Sequence, residues 1–314
     1  MQNWVSLRLV VATVVAVAVL SGAGFVTSAA SGSGLSPRWR AMPPPRLAVT
    51  ATGRSRAMWL WNWTDNAAVI SFARANQVTE IFAYVAPGFT NPSTIPPQWS
   101  IPEWPLIADL VARARAASVQ IDALGGDPSW VQQPAVAAAW ATEVKSSGLF
   151  AGAHLDLEPW QLAAWTTDQP GTIAQTVVAV ATVRAGLAGL PLELSLPWWL
   201  YQYTTANGTT LDLALLAYCD SAAIITFFDT AAQIESFGAR EQGDAASLSK
   251  PARLAVETNN VQPPWLTLAG TSAAAFALVL SHVDAANAAT PGYLGVAVED
   301  YTGWRALGLA AKHG

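Results

Sequence analysis

The chain has 314 residues, of which 52% are hydrophobic and only 12% charged, and its formal net charge is −5. This composition suits a folded chain with a large core and excludes an intrinsically disordered one. The acidic balance, with no basic stripe in the body of the chain, gives no electrostatic reason to expect nucleic acid as a partner.

The N-terminal segment has the pattern of a secretory signal. Arg8 precedes an uninterrupted apolar run over residues 9–20, and small residues follow that run up to Ala30. We therefore expect a signal segment over residues 1–30 and a secreted or otherwise extracytoplasmic protein. Because the run is short for a membrane span, we expect membrane contact only in transit, with an uncleaved N-terminal anchor as the alternative.

A flexible linker is predicted to follow the signal segment. Residues 31–56 are rich in Pro, Ser, Gly and Arg and show no apolar period. Residues 57–314 then form one predicted domain. The single cysteine, Cys219, cannot form an internal disulfide and has apolar neighbours, so we expect a buried thiol.

From residue 57 onward, short apolar runs of strand type alternate with Ala-rich stretches of helical period. In chain order, the strand candidates are residues 57–63, 79–85, 119–124, 152–158, 192–197, 221–228, 252–257 and 293–299. The clearest helix candidates are residues 105–118, 135–147, 172–190 and 271–288. Eight βα units predict an α/β fold of the (β/α)8 TIM-barrel type. A doubly wound open sheet is the rival, but neither a G-x-G-x-x-G motif after the first strand nor a P-loop motif occurs.

The ends of the predicted strands carry carboxylates and aromatic residues, whereas the predicted helices are poor in charge. In a TIM barrel the active site lies at the carboxyl ends of the strands. The substrate-binding candidates from these ends are Trp61, Trp63, Tyr84, Asp127, Trp160, Trp198, Asn259, Asp300 and Trp304. Sugar rings stack on indole faces, so this aromatic rim predicts a carbohydrate ligand.

The fourth predicted strand, GAHLDLE, places ionisable residues on one face. Side chains alternate along a strand, so His154, Asp156 and Glu158 share a face, with about 7 Å along the strand between Asp156 and Glu158. Two neighbouring carboxyls do not both ionise easily, so we expect one of them to hold a proton. A proton-holding carboxyl beside a second carboxylate suits the cleavage of glycosidic bonds. The alternative is that both acids only pair with arginines inside the barrel.

This strand resembles the fourth-strand signature of family 18 glycoside hydrolases, the chitinase-like enzymes, which has the pattern D-G-x-D-x-D-x-E. Gly152, Asp156 and Glu158 match the pattern, while Ala151 and His154 stand where the family has Asp. The resemblance implies Glu158 as the general acid. It also implies that Asp156 orients an N-acetyl group of the substrate, which acts as an internal nucleophile.

Two further segments are similar to the same family. ITFFD in the sixth strand resembles the family's M-x-Y-D, with Asp229 aligned and Phe228 in the place of the tyrosine. Trp304, after the eighth strand, resembles the family's floor tryptophan. Asp229 is therefore a catalytic candidate through this resemblance.

A second resemblance points to another nucleophile. In clan A of the retaining glycosidases, the acid/base glutamate ends strand four in N-E-P, and a nucleophilic glutamate ends strand seven. Glu158 and Glu257 occupy these positions here, with Leu157 in the place of the asparagine. Both resemblances imply Glu158 as the proton donor. They differ on whether Glu257 or the substrate is the nucleophile.

Two other kinds of protein remain as alternatives. One is a metal-dependent barrel hydrolase with His154, Asp156 and Glu158 as ligands, although the chain has only three histidines. The other is a lectin-like barrel that binds carbohydrate without turnover. We expect a glycosidase with no cofactor and no metal, because both acids of the fourth strand are present.

Overall fold

The structure, a computed structural model, describes residues 55–85 and 103–307. The predicted signal segment and nearly all of the predicted linker lie outside these residues, as does the end of the chain from residue 308. The described residues fall in a single compact unit.

Eight parallel strands form a closed barrel in chain order, with β8 hydrogen-bonded to β1. The strands are β1 (Ser55–Leu60), β2 (Glu80–Tyr84), β3 (Gln120–Gly125), β4 (Gly152–Leu155), β5 (Leu192–Pro197), β6 (Ser221–Ile225), β7 (Ala252–Glu257) and β8 (Tyr293–Glu299). The eight-stranded α/β barrel predicted from the alternating pattern is confirmed.

Helices connect the strands and surround the barrel. They are α1 (Asn66–Ala75), α2 (Glu103–Ala116), α3 (Pro134–Ser147), α4 (Ala164–Thr167), α5 (Gln169–Gly186), α6 (Leu211–Leu216), α7 (Ala231–Ser247), α8 (Ala273–Ala286) and α9 (Tyr301–Ala306). Side-chain N-caps start several of them: Asp65, Asp168, Thr230 and Ser272 accept a backbone N–H from the first turns of α1, α5, α7 and α8. None of the helices in the described part of the chain is long and apolar enough to cross a membrane.

β2 and β3 differ from their predicted bounds by one residue at each end, and β1, β4 and β6 differ by more. β1 begins at Ser55, inside the predicted linker, because Ser55 and Arg56 pair in register with β8; Arg56 also forms a 2.8 Å ion pair with Asp284 of α8. β4 ends at Leu155, and a 3₁₀ turn over Pro159–Gln161 follows it. Proline keeps the residue before it out of the helical region, so Glu158, with φ −111° and ψ 74°, is not helical and starts the turn. β6 likewise ends early, at Ile225.

The apolar core has two parts. The larger part lies between the strands and the helices and includes Cys219. The thiol is buried as expected, and burial raises its pKa to about 12. The smaller part fills the barrel itself and consists of Ala57, Trp59, Phe82, Leu124, Ala223, Ala255 and Ala297. Trp59 and Phe82 meet edge to face there, with ring centroids 5.0 Å apart.

Charged side chains occupy the barrel interior toward the amino ends of the strands. Nη2 of Arg253 lies 2.7 Å from Oε2 of Glu80 and 3.0 Å from Oε2 of Glu193, and we call these three residues the Arg253 ion cluster. Burial opposes ionisation of Glu193, but the charge of Arg253 and hydrogen bonds from His154 and Ser221 outweigh it and lower its pKa to about 2. For Asp122, burial and the charge of Glu80 raise the pKa well above its usual range.

We expect Arg253→Met to destabilise the protein by about 3–5 kcal/mol, because the substitution leaves Glu80 and Glu193 buried without their cation. Urea unfolding followed by circular dichroism measures the change. Arg113→Met is the matched control, since Arg113 pairs with Asp109 at an exposed site on α2. An equal loss of stability in both variants would show that the Arg253 ion cluster contributes no more to the stability of the barrel than an exposed ion pair.

A second stability prediction concerns Glu241 of α7, which is buried near Asp212 and Asp244. Burial, with the charges of these two acids, raises its pKa from 4.5 to about 8. A group with a raised folded-state pKa contributes stability that is present below pH 4.5 and is lost as the pH rises through 8. The melting temperature should therefore fall between pH 5 and pH 9, while Glu241→Gln should remove this fall and melt several degrees higher at pH 8.

Differential scanning calorimetry across this pH range tests the prediction. Glu235→Gln, on the same helix, is the control and should keep the wild-type pH dependence. A melting temperature of Glu241→Gln that follows the wild-type curve at every pH would contradict the proposed cost of ionising Glu241.

Candidate active site

Asp156 lies at the carboxyl end of β4, inside the mouth of the barrel. Its backbone N–H donates to the carbonyl of Gly125 at 2.8 Å, so the ladder with β3 continues one residue beyond the strand. The residue is only 7% exposed. Gly126 has φ +138°, and a Cβ at this position would lie 2.3 Å from the carbonyl oxygen of Asp156. Only glycine therefore lets the loop after β3 pass this close to Asp156.

Glu158 is half-buried and starts the 3₁₀ turn after β4. Its carbonyl accepts the backbone N–H of Gln161 at 3.1 Å. The side-chain amide of Gln161 donates a further hydrogen bond to the Glu158 carboxylate. Gln161, which was not among the predicted site residues, thus orients the predicted acid.

Four aromatic side chains from the segments that follow β4 and β5 pack together, and we call them the β4–β5 aromatic cluster: Trp160, Trp165, Trp199 and Tyr203. The ring of Trp160 lies 4.9 Å from that of Trp199 and 6.5 Å from that of Trp165. Tyr203 is the fourth member: its ring centroid lies 5.0 Å from that of Trp165 and 5.7 Å from that of Trp199. Only Trp160 was among the predicted residues, although the aromatic-rich stretch after β5 carries the signal for the others.

Trp198, the site candidate that precedes Trp199 in the chain, is not part of this cluster. Its ring packs 4.5 Å from Phe237 of α7 and 6.2 Å from Phe228. These contacts belong to the apolar layer between the strands and the helices, against which the β4–β5 aromatic cluster also packs. Of the two adjacent tryptophans, Trp199 is therefore the one that joins the β4–β5 aromatic cluster.

Trp61 and Tyr84 meet at the ends of β1 and β2. Trp61 packs against the apolar cluster inside the barrel, and its ring lies 5.3 Å from that of Tyr84, which is 37% exposed. Trp63 is separate from this pair: its indole N–H donates to the side-chain oxygen of Asn66 at 2.7 Å, and its ring packs on the outer apolar layer.

Glu257 and Asn259 are joined at the end of β7. Oε1 of Glu257 accepts the backbone N–H of Thr258 at 2.8 Å and that of Asn259 at 2.7 Å. The side-chain amide of Asn259 donates a third hydrogen bond to the same oxygen at 2.9 Å. Glu257 is 2% exposed and pairs in register with Glu299 of β8, so this side of the mouth also carries two acids.

The sixth-strand candidates divide between two environments. Asp229 is exposed, and its backbone N–H donates to the carbonyl of Trp265 at 3.1 Å. Phe228 stacks on Phe237 and Trp265 in the outer apolar layer, whereas Phe227 packs inside the barrel.

The remaining candidates have local roles in the fold. Asp127 is exposed and caps the 3₁₀ turn after β3, accepting the N–H of Ser129 at 2.8 Å. Asp300 is buried and caps α9, accepting the N–H of Gly303 at 3.0 Å. Trp304 packs against Phe72 of α1 and Phe276 of α8, in the outer apolar layer.

His154 is fully buried below Asp156. Its Nε2 lies 2.9 Å from Oγ of Ser195, and its Nδ1 lies 3.3 Å from Oε1 of Glu193. Within residues 55–85 and 103–307, no group of three or more His, Cys, Asp or Glu side chains is arranged to hold a metal ion.

Comparison with known sequences gives no match, either to a protein-family model or to a curated protein. Solved structures do match. A mutant family 18 chitinase from Cycas revoluta, in complex with (GlcNAc)4, aligns over 81% of this chain and 97% of its own at 10% identity, with a TM-score of 0.53. A chitinase from Rhizomucor miehei aligns over 80% and 95% at 13% identity, with a TM-score of 0.51.

A chitinase from Bacteroides thetaiotaomicron aligns over 83% of this chain and 98% of its own at 9% identity, with a TM-score of 0.51. This chain has the fold of the family 18 chitinases. The chitinase-like barrel implied by the fourth-strand motif is thus confirmed as a fold. At these identities the similarity establishes the architecture alone, and the roles of the site residues remain predictions.

Proposed function

We propose that the protein is a glycoside hydrolase that cleaves an oligo- or polysaccharide, with Glu158 as the general acid/base. The observation that supports this most is the position of Asp156 and Glu158, which follow β4 at the carboxyl end of a barrel with the chitinase fold. Glu158 is half-buried, so its carboxyl can reach a glycosidic oxygen from the mouth while remaining partly shielded from water.

Aromatic side chains near the carboxyl ends of four strands support a carbohydrate substrate. The β4–β5 aromatic cluster comes from the segments that follow β4 and β5, and Trp61 meets Tyr84 at the ends of β1 and β2. Indole and phenol rings offer flat apolar faces for sugar rings. Since the Cycas revoluta chitinase was solved with (GlcNAc)4, we propose an N-acetylated glucosamine oligosaccharide as the first substrate class to test.

The surroundings of Glu257 favour the substrate's own N-acetyl group as the nucleophile. One carboxylate oxygen of Glu257 accepts three N–H donors from Thr258 and Asn259, and these bonds hold the loop after β7. This arrangement suits a structural acid better than an attacking one. In the proposed mechanism Asp156 orients the N-acetyl group while Glu158 protonates the leaving oxygen.

One observation favours the second candidate, a carbohydrate-binding barrel without turnover. The side-chain amide of Gln161 donates to the Glu158 carboxylate, so one oxygen of the proposed acid is already hydrogen-bonded within the protein. A binding protein would use the same aromatic surfaces. The two candidates therefore differ in turnover and not in ligand.

We also propose export from the cytoplasm. The apolar run over residues 9–20, behind a single arginine and before small residues, is the support for this proposal.

We expect Glu158→Gln to lower the rate of glycan hydrolysis by at least about a hundredfold, because the variant cannot supply the leaving-group proton. Release of reducing ends from N-acetylated and plain oligosaccharides measures the rate. Glu143→Gln, a half-buried carboxyl on α3 outside the barrel mouth, is the control and should keep wild-type activity. If the wild type cleaves no glycan and sugar binding is unchanged in Glu158→Gln, the protein is a carbohydrate-binding barrel.

The nucleophile requires a separate test. If the substrate's N-acetyl group attacks, de-N-acetylated oligosaccharides should not be cleaved, and Asp156→Asn should lose activity while Glu257→Gln retains most of it. Cleavage of plain sugars would instead indicate Glu257 as the nucleophile. In that case azide should restore activity to Glu257→Ala and yield a glycosyl azide, since the small anion replaces the missing carboxylate.

A further inference from the structure

A groove of about 340 Å³ runs between α7 and α8 on the outside of the barrel. Short side chains form most of its walls: Ala239, Gly243 and Ala246 come from α7, and Ala286 comes from α8. Gly243 is exposed, and a Cβ built there would have no described heavy atom within 4 Å outside its own helix and its chain neighbours. The groove therefore has room for a further element of structure to approach the backbone of α7.

The groove also contains a polar side chain without a partner. Gln242 lines the groove and is only 6% exposed. Within the described part of the chain, no group accepts a hydrogen bond from its amide nitrogen, Nε2. A buried amide that stays unpaired costs free energy, and such groups normally have a partner. Whatever fills the groove should therefore offer Gln242 a hydrogen-bond acceptor.

The exposed face of α7 itself has the properties that this groove requires. Exposed residues at steps of three or four along the helix are all small, and they form one stripe: Ala232, Ser236, Ala239, Gly243 and Ser247. Short side chains let two helices approach closely and leave backbone carbonyl groups uncovered. The α7 helix of a second copy could thus enter the groove and present a carbonyl oxygen to Gln242.

The charges beside the groove match in an antiparallel pair of such helices. Gln242 lies midway along the chain between Glu235, which lines the groove, and Lys250, which follows α7. Lys250 is close to the loop at the end of the groove, since a Cβ on Gly292 would lie 3.5 Å from its carbonyl oxygen. Two α7 helices that cross antiparallel at Gln242 would bring Glu235 of each copy toward Lys250 of the other. Such complementary charges favour a second copy as the partner.

We propose that the protein forms a two-fold dimer in which α7 of each copy packs into the α7–α8 groove of the other. The two α7 helices cross at Gly243, and the Gln242 amide donates to a backbone carbonyl of the opposite α7. Leu278, which is 61% exposed, lies on one stripe of α8 with His282 and Ala286, so the stripe leads to the groove and borders the dimer contact. This surface belongs to the outer helices, so the dimer does not depend on the proposed function.

Sedimentation velocity of the wild type across a dilution series measures the dissociation constant of the dimer. We expect Gly243→Lys to raise this constant by at least about a hundredfold, because two ammonium groups would meet where the helices cross. The variant should fold, since its Cβ has room and lysine favours a helix more than glycine does. Its melting temperature, measured at the lowest concentration, should not fall. Ala174→Lys, at an exposed position of α5, is the control and should keep the wild-type constant.

A wild type that stays monomeric throughout the dilution series would overturn the dimer. Dimers that persist in Gly243→Lys, or that are lost equally in Ala174→Lys, would overturn the assignment to the α7–α8 groove.

The hydrogen bond from Gln242 has a separate test. Gln242→Met keeps a side chain of similar length but has no amide, so it should weaken the dimer about tenfold. The same substitution should leave the melting temperature of the monomer unchanged or higher, because the Gln242 amide nitrogen has no partner within the described residues. A dissociation constant equal to that of the wild type would contradict the hydrogen bond across the dimer.

Discussion

The ion pairs of Arg253 inside the barrel determine how the interior above them is organised. A buried guanidinium is costly unless acids match it, and Glu80 and Glu193 do so at 2.7 and 3.0 Å. Pairing with Arg253 keeps Glu193 ionised, and the free side of its carboxyl group faces His154. One buried cation at the amino end thus fixes the electrostatics of the residues that lie directly under the proposed catalytic acids.

The barrel could be predicted from the sequence because its strands are buried on both faces. Such strands appear as short apolar runs, and the Ala-rich stretches between them have a helical period. The same reasoning placed Asp156 and Glu158 at a strand end, and it selected Trp61 with Tyr84 and Asn259 with Glu257, which the structure brings into contact. These residues lie within or next to regular strands, where the alternation of side chains holds.

Candidates chosen only because they lie near a strand end were not sorted by the face that each side chain occupies. Along β5 and just beyond it, Leu194, Leu196 and Trp198 all pack in the outer apolar layer, so the alternation extends to Trp198, and the 3₁₀ turn begins after Trp199. Along β6 and just beyond it, Ala223, Ile225 and Phe227 pack inside the barrel, so the same alternation places Phe228 in the outer layer. The partners of His154 were also beyond reach, because Ser195 lies 41 residues away in the chain and only the register of β4 and β5 brings them together.

The histidine at position 154 is the clearest departure from the family 18 pattern, which has an acid there. In this barrel an acid at that position would face the ionised Glu193 at close range, and two buried like charges are strongly unfavourable. A histidine can accept or donate at Nε2 while Nδ1 points at Glu193. His154 in the motif and Glu193 on β5 are therefore compatible neighbours, whereas two acids would not be. For this reason, the absence of the aspartate from the motif does not by itself indicate that the barrel has lost catalytic activity.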